Sequence, residues 1–320
     1  MTTRYNRQEL FEEIGREGQQ KIQSAGVAVV GLGAVGSVSA ELLCRAGIGK
    51  LILIDRDFVE QTNLQRQTLY EEVDVGKAKA RAAEEHLHRI NSKVPLSAHI
   101  ADLTFKNIST LLHQADIIVD GTDNLETRFL MDEYCLQNNK SWVYGAAVQD
   151  RGFVMSFSGK GACFQCLMKE KIAEGTCDTL GVLNTITTLV GSLQAQECLN
   201  SILGKQVGRL LHVKLMTPRF DVLEVAKDPS CPACHGQYEY LDGRKGNTTI
   251  RFCATGQFQI SPQHQLDLPA VKRALERAGK VEDLGFCLVF RNMKVFRERV
   301  LIRAKTEEEA RAIYARYIGR

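Results

Sequence analysis

The sequence predicts a doubly wound, Rossmann-like α/β sheet followed by a small α+β domain. First, residues 27–57 alternate strand, glycine turn, helix and strand, the pattern of a parallel β-α-β unit. Second, strand-like and helix-like segments keep alternating to about residue 225. Third, a polar, glycine-containing segment begins at His235 and precedes a shorter strand and helix pattern. We therefore divide the chain into domains of residues 1–243 and 244–320.

The predicted elements follow from apolar periodicity and from helix start and stop signals. An amphipathic helical segment covers residues 7–24, and GLGAVG connects the first strand to a helix that ends at Gly47. Further strands are expected at residues 51–57, 94–100, 115–121, 141–148, 151–157, 210–216 and 220–225, and further helices at residues 76–91, 125–139 and 183–203. The C-terminal domain has a βαββα pattern: a strand at 247–260, a helix from Asp267, a hairpin at 286–304 and a helix at 306–319.

Charge is distributed unevenly between the two domains. The chain of 320 residues has a net charge of +3, yet residues 244–320 carry 16 Lys/Arg against 8 Asp/Glu. The remaining 25 basic and 30 acidic residues belong to the preceding part, which is therefore acidic. A basic domain on an acidic body either docks a negatively charged partner or presents a solvated basic surface.

Composition is that of a globular protein, with 44% hydrophobic and 25% charged residues. No apolar run approaches the roughly 20 residues that span a bilayer. The polar, acidic N-terminal segment lacks the apolar core of a secretory signal. We therefore expect a cytoplasmic protein without a membrane partner.

A glycine turn marks the candidate nucleotide site. Gly31, Gly33 and Gly36 form a G-x-G-x-x-G motif between a strand and a helix, where a Cβ would block the approach of phosphate to the helix N-terminus. Asp55 ends the next strand, where a carboxylate accepts hydrogen bonds from a ribose hydroxyl. An NAD-dependent oxidoreductase would have the same motif, so these residues alone leave the class of enzyme open.

Charged residues around this turn favour phosphoryl chemistry over hydride transfer. Arg66 follows the second strand, Lys79 begins the next helix, and Asp123 follows a later strand at the edge where α/β sheets bind ligands. Two cations would neutralise the phosphates of ATP, and the carboxylate would hold Mg²⁺. Alternatively, Arg66 and Lys79 are surface charges, and Asp123 with Asn124 caps a helix.

Two C-x-x-C pairs predict a metal site. Cys163 and Cys166 form the first pair, and Cys231 and Cys234 form the second. Four thiolates match the tetrahedral preference of Zn²⁺ and leave no open position for water, so the predicted site is structural. The alternative is two separate redox-active or buried pairs.

Several motifs together resemble one family. RYNRQ at residues 4–8, GLGAVG, LILIDRD, NLQRQTLY, GKAK, GTDN, GAA at residues 145–147 and GSLQAQE occur in the order found in the ThiF/MoeB/HesA adenylyltransferases. These enzymes are related to ubiquitin-activating enzymes, and the resemblance runs from about residue 4 to residue 235. Ala34 departs from the family, which often has glycine there.

The resemblance implies the adenylation fold of ubiquitin-activating enzymes and ATP-dependent adenylation of a Gly-Gly carboxylate on a ubiquitin-like or sulfur-carrier protein. It implies that Asp55 binds ribose, that Asp123 binds Mg²⁺, and that Arg66 and Lys79 contact phosphates. The resemblance also implies that Asn63 helps to shape the same site and that Arg7 reaches into the active site of the other subunit of a homodimer.

The resemblance also singles out Cys177 as a reactive thiol. In that role Cys177 would take the activated carboxyl as a thioester or join an acyl-persulfide relay, since a thiolate is a good nucleophile toward an acyl-adenylate. An ordinary loop residue is the alternative. A conjugating enzyme or a sulfurtransferase would be the next partner, and the sequence does not choose between them.

Two other functions remain open at this stage. One is the NAD-dependent oxidoreductase, which has no use for Mg²⁺, Arg66 or Lys79. The other is a non-catalytic scaffold that binds a ubiquitin-like protein, against which the full set of charged residues argues.

Overall fold

The computed structural model describes residues 4–168, 181–205, 208–245, 249–252, 257–260, 262, 265–297 and 299–318. The chain divides into two units, Met1–Lys245 and Gly246–Arg320. The sequence places the boundary two residues earlier, after residue 243. Each unit has its own apolar core.

One mixed sheet of eight strands, counted over the described residues, forms the centre of the larger unit. The strand order is β3-β2-β1-β4-β5-β6-β7-β8. Strands β1 to β5 are parallel, and β6, β7 and β8 continue the sheet in antiparallel pairs. The strands are β1 (Gly26–Val30), β2 (Lys50–Ile54), β3 (Leu96–His99), β4 (Ile117–Asp120), β5 (Ser141–Val148), β6 (Arg151–Phe157), β7 (Leu210–Lys214) and β8 (Arg219–Leu223). The predicted doubly wound α/β fold is therefore confirmed.

Helices connect these strands. They are α1 (Asn6–Glu9), α2 (Gly15–Ser24), α3 (Gly36–Ala46), α4 (Lys79–Ile90), α5 (Ile108–Leu112), α6 (Leu125–Gln137), α7 (Phe164–Leu167) and α8 (Asn184–Ile202). The single helical segment predicted over residues 7–24 is divided between α1 and α2. Gly15 has φ of +60°, which a continuous right-handed helix does not contain. Among the described residues, no helix combines the length and apolarity needed to cross a bilayer.

Strand β1 is buried on both faces of the sheet. Val27 and Val29 of β1 pack into one apolar cluster, and Ala28 and Val30 pack into the other. Successive side chains of a strand point to opposite faces, so a strand covered by helices on both sides needs a continuous apolar run. The sequence VAVV meets this requirement and places β1 at the centre.

The smaller unit is an antiparallel sheet with two helices among its described residues. Its elements are β9 (Thr249–Phe252), β10 (Gln257–Ile260), α9 (Leu268–Glu276), β11 (Glu282–Asp283), β12 (Leu288–Phe290), β13 (Met293–Val295), β14 (Val300–Arg303) and α10 (Glu307–Tyr317). The strand order is β11-β12-β13-β14-β10-β9. The predicted βαββα pattern is thus too simple. The strand predicted at 247–260 is an antiparallel pair with Phe252 opposite Gln257, and the predicted hairpin contains three strands.

Candidate active site

The candidate site lies where the strand order reverses, between β1 and β4. The loop after β1 carries the three motif glycines, and the loop after β4 carries the sequence GTDN. Backbone hydrogen bonds hold both loops to the sheet: Gly31 N–H donates to Ile54 O at 2.8 Å, and Gly121 N–H donates to Val30 O at 2.7 Å. Open α/β sheets bind ligands in the crevice at this position.

Three glycines bring the two loops into backbone contact. Gly31 has φ of +84°, and a Cβ there would lie 2.6 Å from the carbonyl carbon and oxygen of Gly121. A Cβ at Gly36 would lie 1.9 Å from Gly31 O, and one at Gly121 would lie 2.2 Å from the same oxygen. A Cβ at Gly33 would meet no atom closer than 3.9 Å. Gly31, Gly36 and Gly121 therefore join the loops, whereas a Cβ at Gly33 would make only ordinary van der Waals contact.

Asp55 holds the glycine loop through its carboxylate. Its Oδ2 accepts a hydrogen bond from Leu32 N–H, and its Oδ1 accepts one from Asp57 N–H, both at 2.6 Å. Burial raises the pKa of Asp55, while Lys79 and these N–H groups act in the opposite direction. The predicted contact with ribose therefore has to use the remaining lone pairs of a carboxylate that already orders the loop.

Lys79 brings a buried cation to the same place. It is the first residue of α4, and its Nζ lies 3.7 Å from Oδ2 of Asp57. Burial lowers the pKa of Lys79, but Asp55, Asp57 and Asp123 outweigh that effect, and the net pKa is raised. Lys79 is therefore charged at neutral pH, as a phosphate contact requires.

Asn63 and Arg66 lie on one turn between β2 and α4. Oδ1 of Asn63 accepts a hydrogen bond from Glu60 N–H at 3.1 Å and closes the 3₁₀ turn of residues Gln61–Asn63. Nη1 of Arg66 donates to Thr62 O at 2.9 Å, and the side chain stays partly exposed. Asn63 thus shapes the turn that carries Arg66.

Asp123 does not cap the helix that follows it. Oδ1 of Asn124 accepts the hydrogen bond from Glu126 N–H at 2.9 Å and caps α6. Asp123 is exposed, and its charge raises the pKa of Lys79. The capping role is therefore met by Asn124, and Asp123 is near enough to Lys79 for its charge to act on that side chain.

A buried ion pair, which sequence analysis missed, fixes the loop that carries Asp123. Nε of Arg128 lies 2.7 Å from Oδ2 of Asp120, and Nη2 donates to the carbonyl oxygens of Thr122 and of Gly145, the latter at 3.2 Å. Oδ1 of Asp120 accepts hydrogen bonds from the N–H and hydroxyl of Thr122, at 2.8 and 2.6 Å. An arginine inside a mostly apolar helix was the signal available in the sequence.

Gln194 of α8 forms hydrogen bonds to three other elements that adjoin the site. Its Nε2 donates to Asp120 O at 2.7 Å and to Val143 O at 3.2 Å, and its Oε1 accepts from the hydroxyl of Ser39 at 3.0 Å. The GSLQAQE motif therefore joins α3, β4 and β5.

Arg7 is exposed between two anchored neighbours. The hydroxyl of Tyr5 accepts a hydrogen bond from Nδ2 of Asn91 at 2.9 Å. Nε2 of Gln8 donates to Ala46 O at 3.1 Å, at the C-terminal end of α3. The segment is thus fixed to the far end of α3 from the glycine turn, and Arg7 faces away from the protein.

The four predicted metal ligands lie together. Sγ of Cys163 is 3.5 Å from that of Cys231 and 3.7 Å from that of Cys166, and Cys166 is 3.7 Å from Cys234. All four sulfurs lie within 4.8 Å of one another. A tetrahedral ion with metal–sulfur bonds of about 2.3 Å needs sulfurs about 3.8 Å apart, so the cluster fits a metal ion. Cys177 lies outside the residues that the structure describes.

The sequence pattern of the ThiF family matches residues 5–233. The chain belongs to the ThiF family. The match includes both loops of the site, the turn of Asn63 and Arg66, and all but the last of the four clustered cysteines. The resemblance inferred from the motifs is confirmed.

Named ThiF relatives share this sequence over different lengths. The sulfur carrier protein ThiS adenylyltransferase of Bacillus subtilis is 35% identical over 336 aligned positions, which cover the whole of both chains. The adenylyltransferase and sulfurtransferase MOCS3 of Culex quinquefasciatus is 40% identical over 72% of this chain and 55% of its own length. The sulfur carrier protein adenylyltransferase of Thermus thermophilus is 35% identical over 72% of this chain and 90% of its own length. This ThiF chain is accordingly an adenylyltransferase, as its sequence predicts.

Solved structures agree with the ThiF fold. The E. coli MccB structure with MccA-N7isoASN has a TM-score of 0.64 and 23% identity, and the alignment covers 73% of this chain and 75% of MccB. At that identity the likeness concerns the fold alone.

Proposed function

We propose that this protein uses ATP to adenylate the C-terminal Gly-Gly carboxylate of a small sulfur-carrier or ubiquitin-like protein. The observation that carries the proposal is the pair of packed loops where the strand order reverses, with buried Lys79 at the start of α4 and exposed Asp123 in the loop after β4. The Bacillus subtilis relative, aligned over its whole length, supports a sulfur carrier as substrate.

Each charged residue has a role in the proposed reaction. The phosphates of ATP would enter beside Gly33, where Lys79 and Arg66 would contact them. Oxygen atoms of Asp123 would hold Mg²⁺, whose positive charge would offset that of the phosphates. Asn124 serves the cap, so the carboxylate of Asp123 is spared for that role.

The chemistry itself needs positioning and charge rather than a covalent intermediate with the protein. An oxygen of the carrier carboxylate would attack the α-phosphorus and form a new P–O bond. The bond to the β-phosphate would break in line, and its electrons would leave with pyrophosphate. The product is a carrier acyl-adenylate.

The cysteine cluster would hold structural Zn²⁺. All four ligands are sulfur, which Zn²⁺ favours, and no ligand position is left for water. Asp228 N–H donates to Sγ of Cys166 at 3.4 Å, a contact that stabilises a thiolate. The ion would tie α7 to residues 231–234.

The later steps follow from the resemblance. A homodimer would place Arg7 of one subunit in the site of the other, and Cys177 would accept the activated carboxyl. A sulfurtransferase or a conjugating enzyme would then take the product, and the basic C-terminal domain would dock a partner. That the protein works in the cytoplasm stays a prediction.

Carrier-dependent ATP–pyrophosphate exchange tests the proposal. Exchange is expected with a Gly-Gly-terminated carrier and Mg²⁺, and it should disappear when the last glycine of the carrier is removed. Lys79→Met should reduce exchange at least about 100-fold, since a charge-assisted phosphate contact contributes about 1.5–3 kcal/mol and also positions the α-phosphate. Exchange that persists without a carrier carboxylate would contradict the proposed substrate.

A further inference from the structure

A buried carboxylate on α6 lies between the two cysteine segments and takes no part in the proposed reaction. The side chain belongs to Glu133, which is 1% exposed. Burying a carboxylate is costly unless hydrogen bonds replace those of water, and an apolar residue would fill the same place at less cost. The donors that surround Glu133 therefore indicate what this side chain is kept for.

Glu133 contacts both segments that carry the clustered cysteines. Its Oε1 accepts a hydrogen bond at 2.9 Å from Nε2 of Gln165, which lies between the two cysteines of the first pair. Its Oε2 accepts hydrogen bonds from the N–H groups of Tyr240 and Leu241, both at 2.8 Å. These two residues follow the second pair along the chain. One carboxylate thus bridges the two segments that a metal ion would also join.

Other side chains of α6 support the same arrangement. Asp132 accepts hydrogen bonds from the N–H groups of Phe164 and Gln165, at 3.1 and 3.4 Å. The ring of Phe129 stacks on that of Tyr240, with the ring centroids 5.0 Å apart. Helix α6 is therefore a platform that positions both segments through contacts that need no metal ion.

We propose that Glu133 is a positioning residue of the cysteine cluster, whose bridge holds the two cysteine pairs together before a metal ion binds. This inference rests on the proposed zinc site. A ligand set that is already assembled loses less conformational freedom on binding, so its affinity for the ion is higher. Groups that orient metal ligands typically contribute about 10–100-fold to metal affinity.

Two substitutions of Glu133 separate the bridge from the charge of the carboxylate. Glu133→Met removes the acceptor at similar length, so the Kd for Zn²⁺ should rise about 10–100-fold. Glu133→Gln keeps an oxygen for Tyr240 and Leu241, and its amide N–H can donate to the oxygen of Gln165 once that amide turns over. Its Kd for Zn²⁺ should therefore stay within about threefold of wild type.

A milder variant tests the link to the first pair alone. Gln165→Ala should raise the Kd for Zn²⁺ about threefold to tenfold, because the hydrogen bonds to Tyr240 and Leu241 remain. Combined with Glu133→Met it should have little further effect, since its acceptor is already gone. Gln196→Ala is the matched control, because Gln196 is an exposed glutamine of α8, and it should leave the Kd within about twofold of wild type.

Competition with a chromophoric chelator, on metal-stripped full-length protein titrated with Zn²⁺, gives these Kd values. Hydrogen exchange, followed by mass spectrometry, measures the protection of the amides of Tyr240 and Leu241. Both amides should be protected in metal-free wild type and in metal-free Glu133→Gln, and both should exchange faster in Glu133→Met. Thermal unfolding of the same samples records any general loss of stability.

Three outcomes would overturn the proposal. A Glu133→Met variant with a lower Tm and an unchanged Kd for Zn²⁺ would show that the carboxylate only stabilises α6. A Glu133→Gln variant that binds as weakly as Glu133→Met would assign the effect to charge. Unprotected amides in metal-free wild type would mean that the ion itself positions the second segment. Failure of the proposed zinc site is distinguishable, because wild-type protein would then bind no Zn²⁺ at all.

Discussion

Gly33 and Gly36 lie three residues apart, yet they have different roles in the same turn. At Gly36 the backbone of Gly31 occupies the volume that a Cβ would need, whereas a Cβ at Gly33 would make only ordinary van der Waals contact. Gly36 allows the loops to pack, and under the proposed function Gly33 would lie beside the phosphates.

Alanine substitutions should separate these two roles. Gly36→Ala should lower the free energy of unfolding by more than about 3 kcal/mol, because backbone atoms cannot yield to the new methyl group. Gly33→Ala should change it by less than about 0.5 kcal/mol and still weaken ATP binding about tenfold or more, because its methyl group enters the phosphate space. Urea denaturation and calorimetric titration measure both effects. Equal destabilisation by the two variants would contradict the assignment.

At the scale of single residues, sequence analysis could identify the residues that a motif with fixed spacing requires. Gly31, Gly33 and Gly36 are recognisable because close backbone approach admits only glycine. The ion pair between Asp120 and Arg128 was not predicted, because it is visible only when β4 and α6 are folded together. Sequence analysis also did not decide which residue caps α6. Asp123 and Asn124 are both good capping residues, and only the folded geometry selects Asn124.

The elements around the site are joined by buried polar side chains as well as by apolar packing. Arg128 of α6 binds the end of β4, the loop after it and the carbonyl of Gly145 in β5. Removing one member of a buried ion pair leaves the other charge without compensation.

A double-mutant cycle at Asp120 and Arg128 should reveal this coupling. Arg128→Met and Asp120→Asn should each lower the free energy of unfolding by about 3–5 kcal/mol. The double variant should lose less than the sum, with a coupling energy of about 1–3 kcal/mol. Denaturant unfolding of the four proteins gives these values. Additive losses would mean that the pair does not act as a unit.

The cysteine cluster joins segments that are far apart in sequence. Cys231→Ser should reduce bound zinc from about one equivalent to near zero and lower the Tm, since three thiolates hold the ion less well than four. Cys198→Ala is the comparison, because Cys198 is buried in the apolar core outside the cluster. It should also lower stability but keep about one equivalent of zinc. Metal analysis of both proteins decides the matter, and wild-type protein without bound metal would contradict the assignment.

Helices and strands were predicted correctly where the periodic apolar pattern extended over many residues. Prediction was less accurate in the smaller unit, where the strands have two to four residues and most pair with sequence neighbours. Such strands have too few residues for a period to show, and a single apolar run can hold two of them. The short helix α5 was missed for the same reason.

At the scale of the whole molecule, relatives share different lengths of this chain. The Bacillus subtilis relative aligns with the whole chain, and the Culex and Thermus relatives align with 72% of it. All residues assigned to the nucleotide site belong to the larger unit. Sequence analysis located both units, but it could not assign partners to the smaller one, because charge alone does not identify what is bound.

Mixed subunits should test the proposed homodimer. Arg7→Ala and Asp123→Ala should each abolish exchange. Unfolded together and refolded, or coexpressed, the two variants should regain up to about a quarter of wild-type exchange, since half of the dimers would be mixed and each would hold one complete site. Exchange assays on the separate and the mixed proteins give the comparison. No recovery in a verified mixed dimer would place Arg7 in its own subunit's site.

The anchoring of Tyr5 and Gln8 has a consequence for how two sites would depend on each other. Gln8 binds the C-terminal end of α3, and the glycine turn lies at the N-terminal end, about 15 Å away along a helix of this length. An arginine side chain is too short to cover that distance, so under the proposed function Arg7 would not reach phosphates bound in its own chain. If the segment detached in one subunit, that subunit would keep its own nucleotide site complete, and the catalytic fault would appear in its neighbour.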